Sequence, residues 1–585
     1  MLLVSPIAGL ALGATVTLLR GRLPRWITPA GIAVFAFGPL ALISRTELGH
    51  TTGRALWEWS AVGGATVQAS YHIDPLAVIA AAVIAVSTGV GVSSAARSAG
   101  AFPAAFLAIL GMVLVTFVAV TDAVIASMVA GAAAALAVAV ALFVAPQDVA
   151  ARLGAFLALG LQAFIAAALL LARAGVASFE LNDISPGAIS PSVVVAVFVG
   201  AALFAGLYPF VPWRYESANV ETTSTDAVRG LALFPIGVAA TLFAWRFIGA
   251  SGSRPDQMLL PSLPIEWQAA LLALVIALAA IAVRAGPTEA RLRRTIGGAI
   301  FVVAVSALPL LDIAYAMALL ALLTVVYATV ASAARVAEWG VARFDVRLAV
   351  LWAALASGSA PALAAALFGS VASSVALIVE PLEIAGVSGV AIATSARLLN
   401  AIGPFLALAG VAFATDPIAE GLSAIVLAWA AVLELAHAVR ETGTDRNLRA
   451  ADRAFAALVA VAVVFAVALV AAVPATAAAV DVLGPLPAEA SDLVLAALAL
   501  LGVALAVVLV ALPGTIAMPF NARVLSLFRR IVAASDPVPA LALAYRAIEA
   551  WSERIGASFA VFEDRAGVWL ATALIALALI WAATS

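Results

Sequence analysis

Long apolar stretches separated by short polar connections follow one another along almost the whole chain. A helix needs about 20 mainly apolar residues to cross a bilayer, and about fifteen to seventeen such windows fit the sequence. The pattern therefore predicts an all-α, polytopic membrane protein. The first window, Leu2–Leu19, has no basic stretch before it and is followed by the arginine-rich turn Arg20–Arg25. We therefore expect a retained first span with its N-terminus outside.

Two interruptions of the apolar pattern predict broken helices. In the first, an apolar helix running to Phe204 meets glycine and proline and then gives way to a polar segment. Proline frees a backbone carbonyl, which a membrane helix tolerates only where protein or a water-filled cavity accepts it. The second break is predicted at residues 397–403, because it would place the basic connection Arg440–Arg453 on the cytoplasmic side. The residues that mark the first break are Gly206, Pro209, Pro212 and Trp213.

The composition changes near the C-terminal end of the chain. Six arginines alternate with apolar residues at helical spacing over Phe520–Arg565, which is too polar to cross a membrane. We therefore divide the chain into a helix bundle over residues 1–515, a surface (lateral) helix region over 516–566 and a final span over 567–585. Within the bundle, one span is predicted to lie within Leu348–Val379.

Composition excludes several classes of function. The 585 residues are 65% hydrophobic and 11% charged, with a mean hydropathy of +1.16, so the chain is not a soluble globular protein. Cysteine is absent, and the three histidines are far apart, so we expect no metal and no cofactor. No nucleotide-binding loop or nucleophile–base pair is visible, and we expect lipid rather than nucleic acid around the chain.

The basic residues are all of one kind. The chain contains thirty arginines and no lysine. Arginine stays protonated at physiological pH, whereas a buried lysine can lose and regain its proton. Among the basic side chains only histidine can therefore carry a proton.

The first break resembles a signature of the antiporter-like membrane subunits of respiratory complex I, Mrp antiporters and energy-converting hydrogenases. That signature has the form K-A-G-x-x-P-x-H-x-W-L-P-x-A-H. Further similarities are the sequence HIDPLA at the start of the third span, a basic pair before a later span, and the closing order of span, surface helix and final span. The matching residues are Ala205, Gly206, Tyr208, Pro209, Trp213 and Ala218, with His72–Ala77, Arg293 and Arg294 elsewhere.

The departures from this family concern its titratable groups. The family's lysines fall on Phe204 and Pro235, its signature histidine falls on Val211, and no carboxylate lies near Val129–Gly131, where its fifth-helix glutamate is expected. In the family these groups form a relay of protonatable side chains across the membrane. The resemblance therefore implies that the first half of this chain has lost that relay.

A few ionisable residues remain as candidates for a proton path. Glu434 and His437 lie three residues apart, so one face of a helix presents both, and together they could pass a proton. Alternatively, Glu434 could reach the nearby membrane interface and be a solvated charge. Glu216 in the first break and Asp312 near a helix end are further candidates, for which pairing or solvation is the competing interpretation. Asp122 could instead cap the helix that follows it.

Two classes of function fit these observations. The resemblance implies a membrane-arm subunit of a complex I-like or hydrogenase-like redox assembly in a prokaryotic plasma membrane, with other membrane and peripheral subunits as partners. Such a chain would be at most a non-catalytic, ion-translocating subunit of an oxidoreductase complex. It would be either a scaffold that has lost pumping or a subunit with an altered proton path. The alternative is a stand-alone secondary transporter with a midplane site at its two broken helices.

Overall fold

The computed structural model describes residues 7–12, 52–62, 65–145, 147–207, 223–250, 313–334, 336–379, 389–412, 417–442 and 450–483. All of these fall in a compact unit formed by Met1–Ile265 and Leu308–Arg529. The predicted lateral helix region and final span, residues 516–585, lie outside the described residues.

Helices account for most of the described chain. Their apolar residues are largely alanine, valine and leucine, and several of them carry a proline at the first turn, where no intrahelical donor is lost. The labelled helices are α1 (Pro75–Ser98), α2 (Ala101–Phe117), α3 (Ala123–Val144), α4 (Gln147–Arg173), α5 (Pro191–Ala205), α6 (Thr223–Ala250), α7 (Ile313–Ala334), α8 (Val336–Ala356), α9 (Ala360–Val379), α10 (Gly389–Val411), α11 (Pro417–Thr442) and α12 (Ala450–Leu483).

Five of these helices are long and apolar enough to cross a membrane within the described part of the chain, and several others are apolar but shorter. The all-α, polytopic class predicted from the apolar pattern is thus confirmed. The count of fifteen to seventeen spans includes stretches outside the described residues and stays a prediction.

The helices form two groups that meet along α1, α6, α8, α9 and α12. The first-half bundle, α1–α6, is built from sequence neighbours that pack in pairs. The second-half bundle, α7–α12, has its closest pairing between α9 and α10, and it contacts the first half through α1 and α6. Helix α1 lies between the groups and is buried over most of its length. This is possible because it has no charged residue before its last turn.

One predicted span is present and one predicted break is absent. Helix α9 lies within Leu348–Val379, where a span was predicted, and it begins at Ala360 after a turn in which Gly358 has φ +64°. Only glycine adopts this left-handed backbone without strain. The break predicted at residues 397–403 is absent, since α10 is helical from Gly389 to Val411 with Pro404 inside it.

The polar stretch before α1 forms an antiparallel hairpin of β1 (Thr52–Val62) and β2 (Ala65–Ile73). Pairing runs from Thr52 opposite Ile73 to Val62 opposite Ala65, with two irregularities in register. The hairpin ends where Asp74 caps α1, its Oδ1 accepting the backbone N–H of Ala77 at 2.6 Å. It is an addition to the helical architecture that the apolar pattern did not predict.

Candidate functional site

The first position to examine is the end of α5, where the sequence resemblance expects a lysine. Helix α5 ends at Gly206, whose φ of +58° is the left-handed C-cap that favours glycine. Phe204, two residues earlier, is only 2% exposed. Its ring lies directly over Gly160 of α4, because a Cβ built on that glycine would be 2.6 Å from the ring. No larger residue fits at position 160 without moving Phe204.

Phe204 belongs to a cluster of aromatic rings that joins α2, α4, α5 and α6. Its ring centroid lies 5.4 Å from that of Phe164, and Phe164 lies 5.6 Å from Phe243 in an edge-on arrangement. Phe243 in turn contacts Phe117 at 5.4 Å and Phe247 at 6.2 Å. These distances are those of favourable aromatic pairs. The position of the family's first lysine is therefore packed with apolar side chains.

The position of the family's second lysine is also closely packed. Pro235 is buried inside α6. The adjacent Gly237 allows α6 to approach α5 and α8, since a Cβ there would lie 3.1 Å from the Cα of Ala205 and 2.7 Å from Leu348. One turn on, Thr241 accepts a hydrogen bond of 2.8 Å from the Trp352 indole of α8. Hydroxyl and indole groups hold the two bundles together here, and neither titrates near neutral pH.

The second-half bundle has a different interior. Helix α8 carries Arg343, Asp345 and Arg347 close together, and Asp345 and Arg347 are 2% and 7% exposed. The guanidinium of Arg347 lies 5.0 Å from the centroid of the Phe344 ring, a cation–π contact. Its Nη2 donates a hydrogen bond to Oδ1 of Asn400 on α10. A permanent positive charge is thus held inside the bundle by a ring on its own helix and an amide on another.

Glycines bring α9 and α10 into backbone contact beside this arginine. A Cβ on Gly369 would lie 2.3 Å from the Cα of Gly403, so neither position accepts a side chain. The next residue in α10 is Pro404, which lacks an N–H group. The carbonyl of Asn400, four residues earlier, therefore has no helical donor.

A small cavity lies at this crossing. Its volume of about 10 Å³ is about the room that one water molecule needs. The polar residues that line it come from four helices: Arg347 of α8, Ser370 and Ser373 of α9, Asn400 of α10, and Glu434 of α11.

Glu434 is the one sequence-predicted proton-path residue whose side chain the structure describes. It is 5% exposed and lies in the cavity wall with Arg347 and Asn400. The solvated interpretation, in which Glu434 extends to the membrane interface, does not fit this position. His437 lies on the same helix α11, but its side chain is outside the described residues. Glu216, Asp312, Pro209, Pro212 and Trp213 also lie outside them.

The sequence analysis missed Arg347 as a member of this site. The available signal was the run RFDVR, which places two arginines four residues apart next to an apolar helix. Its partner Asn400 is 53 residues away and was taken to mark a broken helix. Within the described residues, no three His, Asp or Glu side chains are grouped as metal ligands would be.

These features define a multi-pass α-helical membrane protein with a buried, charged site in its second half. A chain in the structure of the Mrp complex from Dietzia sp. DQ12-45-1b is similar to it, with a TM-score of 0.53 and 15% identity over 99% of this chain and 63% of that one. This chain thus spans less than two thirds of the Mrp chain. At such identity the comparison shows the fold alone, and it confirms the resemblance to the antiporter-like membrane subunits at that level.

Two further structures give lower scores. A chain of respiratory complex I from Thermus thermophilus with bound NADH has a TM-score of 0.48 and 17% identity, covering 83% of this chain and 100% of that one. A chain of the membrane-bound sulfane sulfur reductase, an archaeal respiratory membrane complex, has a TM-score of 0.46 and 14% identity, covering 75% and 69%. No family model and no curated protein sequence matches the chain.

Proposed function

We propose that this chain is a membrane-arm subunit of a complex I-like or hydrogenase-like redox assembly in a prokaryotic plasma membrane, with its N-terminus outside. Support comes from the helical fold that it shares with the Mrp chain over 99% of its length. The surface helix region at 516–566 is proposed to contact a neighbouring subunit. Since a fold hosts many functions, the role within the assembly has to be argued from the site.

We further propose that the chain moves protons by a path through its second half, with Glu434 as the carrier. The observation that supports this role most directly is the position of Glu434, which is 5% exposed in a cavity wall shared with a guanidinium. Ionisable groups inside a membrane bundle are costly and are mostly functional. An interfacial glutamate would need no such cavity.

The chemistry follows from the difference between the two charged groups. Arg347 keeps its proton and provides a fixed positive charge, whereas Glu434 can be ionised or neutral. A nearby positive charge favours the ionised carboxylate, and burial favours the neutral one. A carboxyl placed between these opposing influences can exchange a proton without a lysine partner.

The cavity and the proline in α10 together create a site where a water molecule can pass a proton to or from Glu434. The Asn400 carbonyl freed by Pro404 and the hydroxyls of Ser370 and Ser373 can hold one water beside Glu434. His437, one turn along α11, is the proposed next group. In the first half, the rings around Phe204 offer no titratable group, so that half acts as scaffold.

Purification from native membranes tests the assembly. A tagged chain should bring redox subunits with it, and deletion of residues 520–565 should reduce that recovery while the earlier spans remain inserted. A chain that purifies alone and transports a solute in liposomes would establish the secondary-transporter alternative instead. That alternative expected matching breaks in two halves, and α10 is continuous through 397–403.

A further inference from the structure

Three segments of the chain meet at one end of the first-half bundle, away from the charged cavity. They are strand β2, the turn between α2 and α3, and the loop between α4 and α5. Backbone hydrogen bonds join them: the N–H of His72 donates to Ala119 at 2.7 Å, that of Thr66 to Ala177 at 2.9 Å, and that of Leu181 to Thr121 at 3.0 Å. The hairpin is thus docked on the ends of helices α2 to α5.

Asp122 forms the first side-chain connection among these segments. It is fully buried and caps α3, with Oδ1 accepting the N–H groups of Val124 at 2.8 Å and Ile125 at 3.0 Å. Its Oδ2 accepts the N–H of Gln68 on β2 at 2.8 Å. Three amide donors suit an ionised carboxylate, so they offset part of the cost of burying its charge.

Glu180 forms the second connection, and fewer hydrogen bonds stabilise its ionised form than that of Asp122. It is 9% exposed, and its two carboxylate oxygens accept hydrogen bonds from the hydroxyls of Ser70 on β2 and Thr121 in the turn. Each bond therefore ties the α4–α5 loop to a different segment. Unlike Asp122, Glu180 receives these bonds from hydroxyl groups and not from amides of a helix end.

The charged groups around Glu180 are mostly acidic. Asp122 pairs with it across an isolated antiparallel bridge, and Asp183 follows it in the same loop. On the hairpin, His72 lies on β2, and Arg54 and Glu58 lie on β1 opposite Tyr71 and Gln68. Arg246 forms an ion pair with Asp74, between α6 and the cap of α1.

These surroundings act on the titration of both carboxyls. Burial raises the pKa of Glu180; the Thr121 hydroxyl bond opposes this, and the charges of Asp122 and Asp183 raise it further. Burial also raises the pKa of Asp122, against the three amide bonds. A raised folded-state pKa means that the stabilisation is complete below the ordinary range of a glutamic acid, near 4.5, and is lost as pH rises through the raised value.

We propose that protonation of Glu180 controls how firmly the β1–β2 hairpin is docked on the helix ends. When protonated, Glu180 bridges β2 and the α2–α3 turn without a buried charge. When it ionises, repulsion from Asp122 and Asp183 and the cost of burying its charge loosen the three segments together. The hairpin would then respond to the pH on its own side of the membrane.

Hydrogen exchange on the intact chain in detergent tests this directly. The amides of Thr66, His72, Phe179 and Leu181, which join the segments, should lose protection as pH rises from 5 to 8, after correction for intrinsic exchange. The loss should be roughly tenfold for each unit by which docking raises the pKa. Amides in the middle of α3 serve as an internal control and should not change.

Two substitutions distinguish control by Glu180 protonation from a contact that is only structural. Glu180→Gln keeps the shape and removes titration, so its protection should be the same at pH 5 and pH 8. Asp183→Asn removes one charge that raises the pKa of Glu180, so the loss of protection between pH 5 and pH 8 should become smaller and should end at a lower pH. If the unsubstituted chain shows the same protection at both pH values, the proposal is wrong. It is also wrong if Glu180→Gln keeps the full pH dependence.

Discussion

The two halves of the bundle solve the same packing problem with different side chains. Around Phe204 the first half fills its interior with five phenylalanine rings at centroid distances of 5.4–6.2 Å. In the second half, a cavity with room for about one water molecule is lined by Arg347 together with an asparagine, two serines and a glutamate. The difference shows that a chain without lysine can still bury charged side chains close to one another.

Arginine suits a fixed role in this arrangement. A buried ammonium needs several well-placed acceptors, whereas the guanidinium of Arg347 stacks on Phe344 and bonds to Asn400. The close approach of α9 and α10 at Gly369 and Gly403 brings the remaining polar groups within reach. In the proposed path Arg347 keeps its proton, and the groups that exchange protons are Glu434 and His437.

The largest expected effect is that of restoring a lysine to the first half. Phe204→Lys would place an ammonium among Phe164, Phe243 and the backbone at Gly160, with no carboxylate near Val129–Gly131. We expect a loss of about 3–5 kcal/mol of stability and no gain of transport. Unfolding in detergent, with Phe204→Leu as the matched control, measures the difference. Lysine tolerated as well as leucine would mean that water or a carboxylate reaches this position.

A smaller loss is expected where the second half relies on backbone contact. Gly369→Leu must separate α9 from α10, because even a Cβ would overlap Gly403. We expect about 2–3 kcal/mol of destabilisation, since the contact involves backbone that cannot turn away. Gly421→Ala is the control, because no atom lies within 4 Å of a Cβ there, and it should stabilise α11 by about 0.5 kcal/mol. Equal unfolding temperatures for the two variants would contradict the close crossing.

The contact between the halves predicts the smallest effect. Thr241→Val removes the acceptor of the Trp352 indole N–H and leaves that donor buried. The expected cost is about 1–2 kcal/mol. In a double-mutant cycle measured by chemical unfolding, Thr241→Val should cost much less in the Trp352→Phe variant, which has no indole N–H to leave unpaired. If the losses of the two variants simply add, the hydrogen bond does not connect the bundles.

The sequence predicted those features whose causes are local. The apolar windows predicted the helical class, and the glycine after Ala205 predicted the end of α5. Asp122 was recognised as a possible cap because the acceptor and its amides lie within three residues. The alternating pattern of strand β2 was present in the sequence, but a search for apolar windows of helical length does not detect it.

Features that depend on distant partners were not predictable in this way. Gly358 lies between Ser357 and Ser359, but this polar run is so short, between stretches rich in alanine and leucine, that hydropathy shows no clear gap between α8 and α9. Arg397, Asn400 and Pro404 look like a helix break when read alone. They are accepted in a continuous helix because α9, α11 and α12 pack against it, and Arg347 bonds to Asn400 from 53 residues away.

Proton translocation by the native assembly with Glu434→Gln tests the central claim most directly. Glutamine keeps the size and hydrogen bonding of Glu434 and removes its titration, so assembly should be intact and translocation lost. Phe204→Leu, measured in the same assembly, should leave translocation unchanged. Full translocation in Glu434→Gln would contradict a proton path through the second half and would favour a scaffold that has lost pumping.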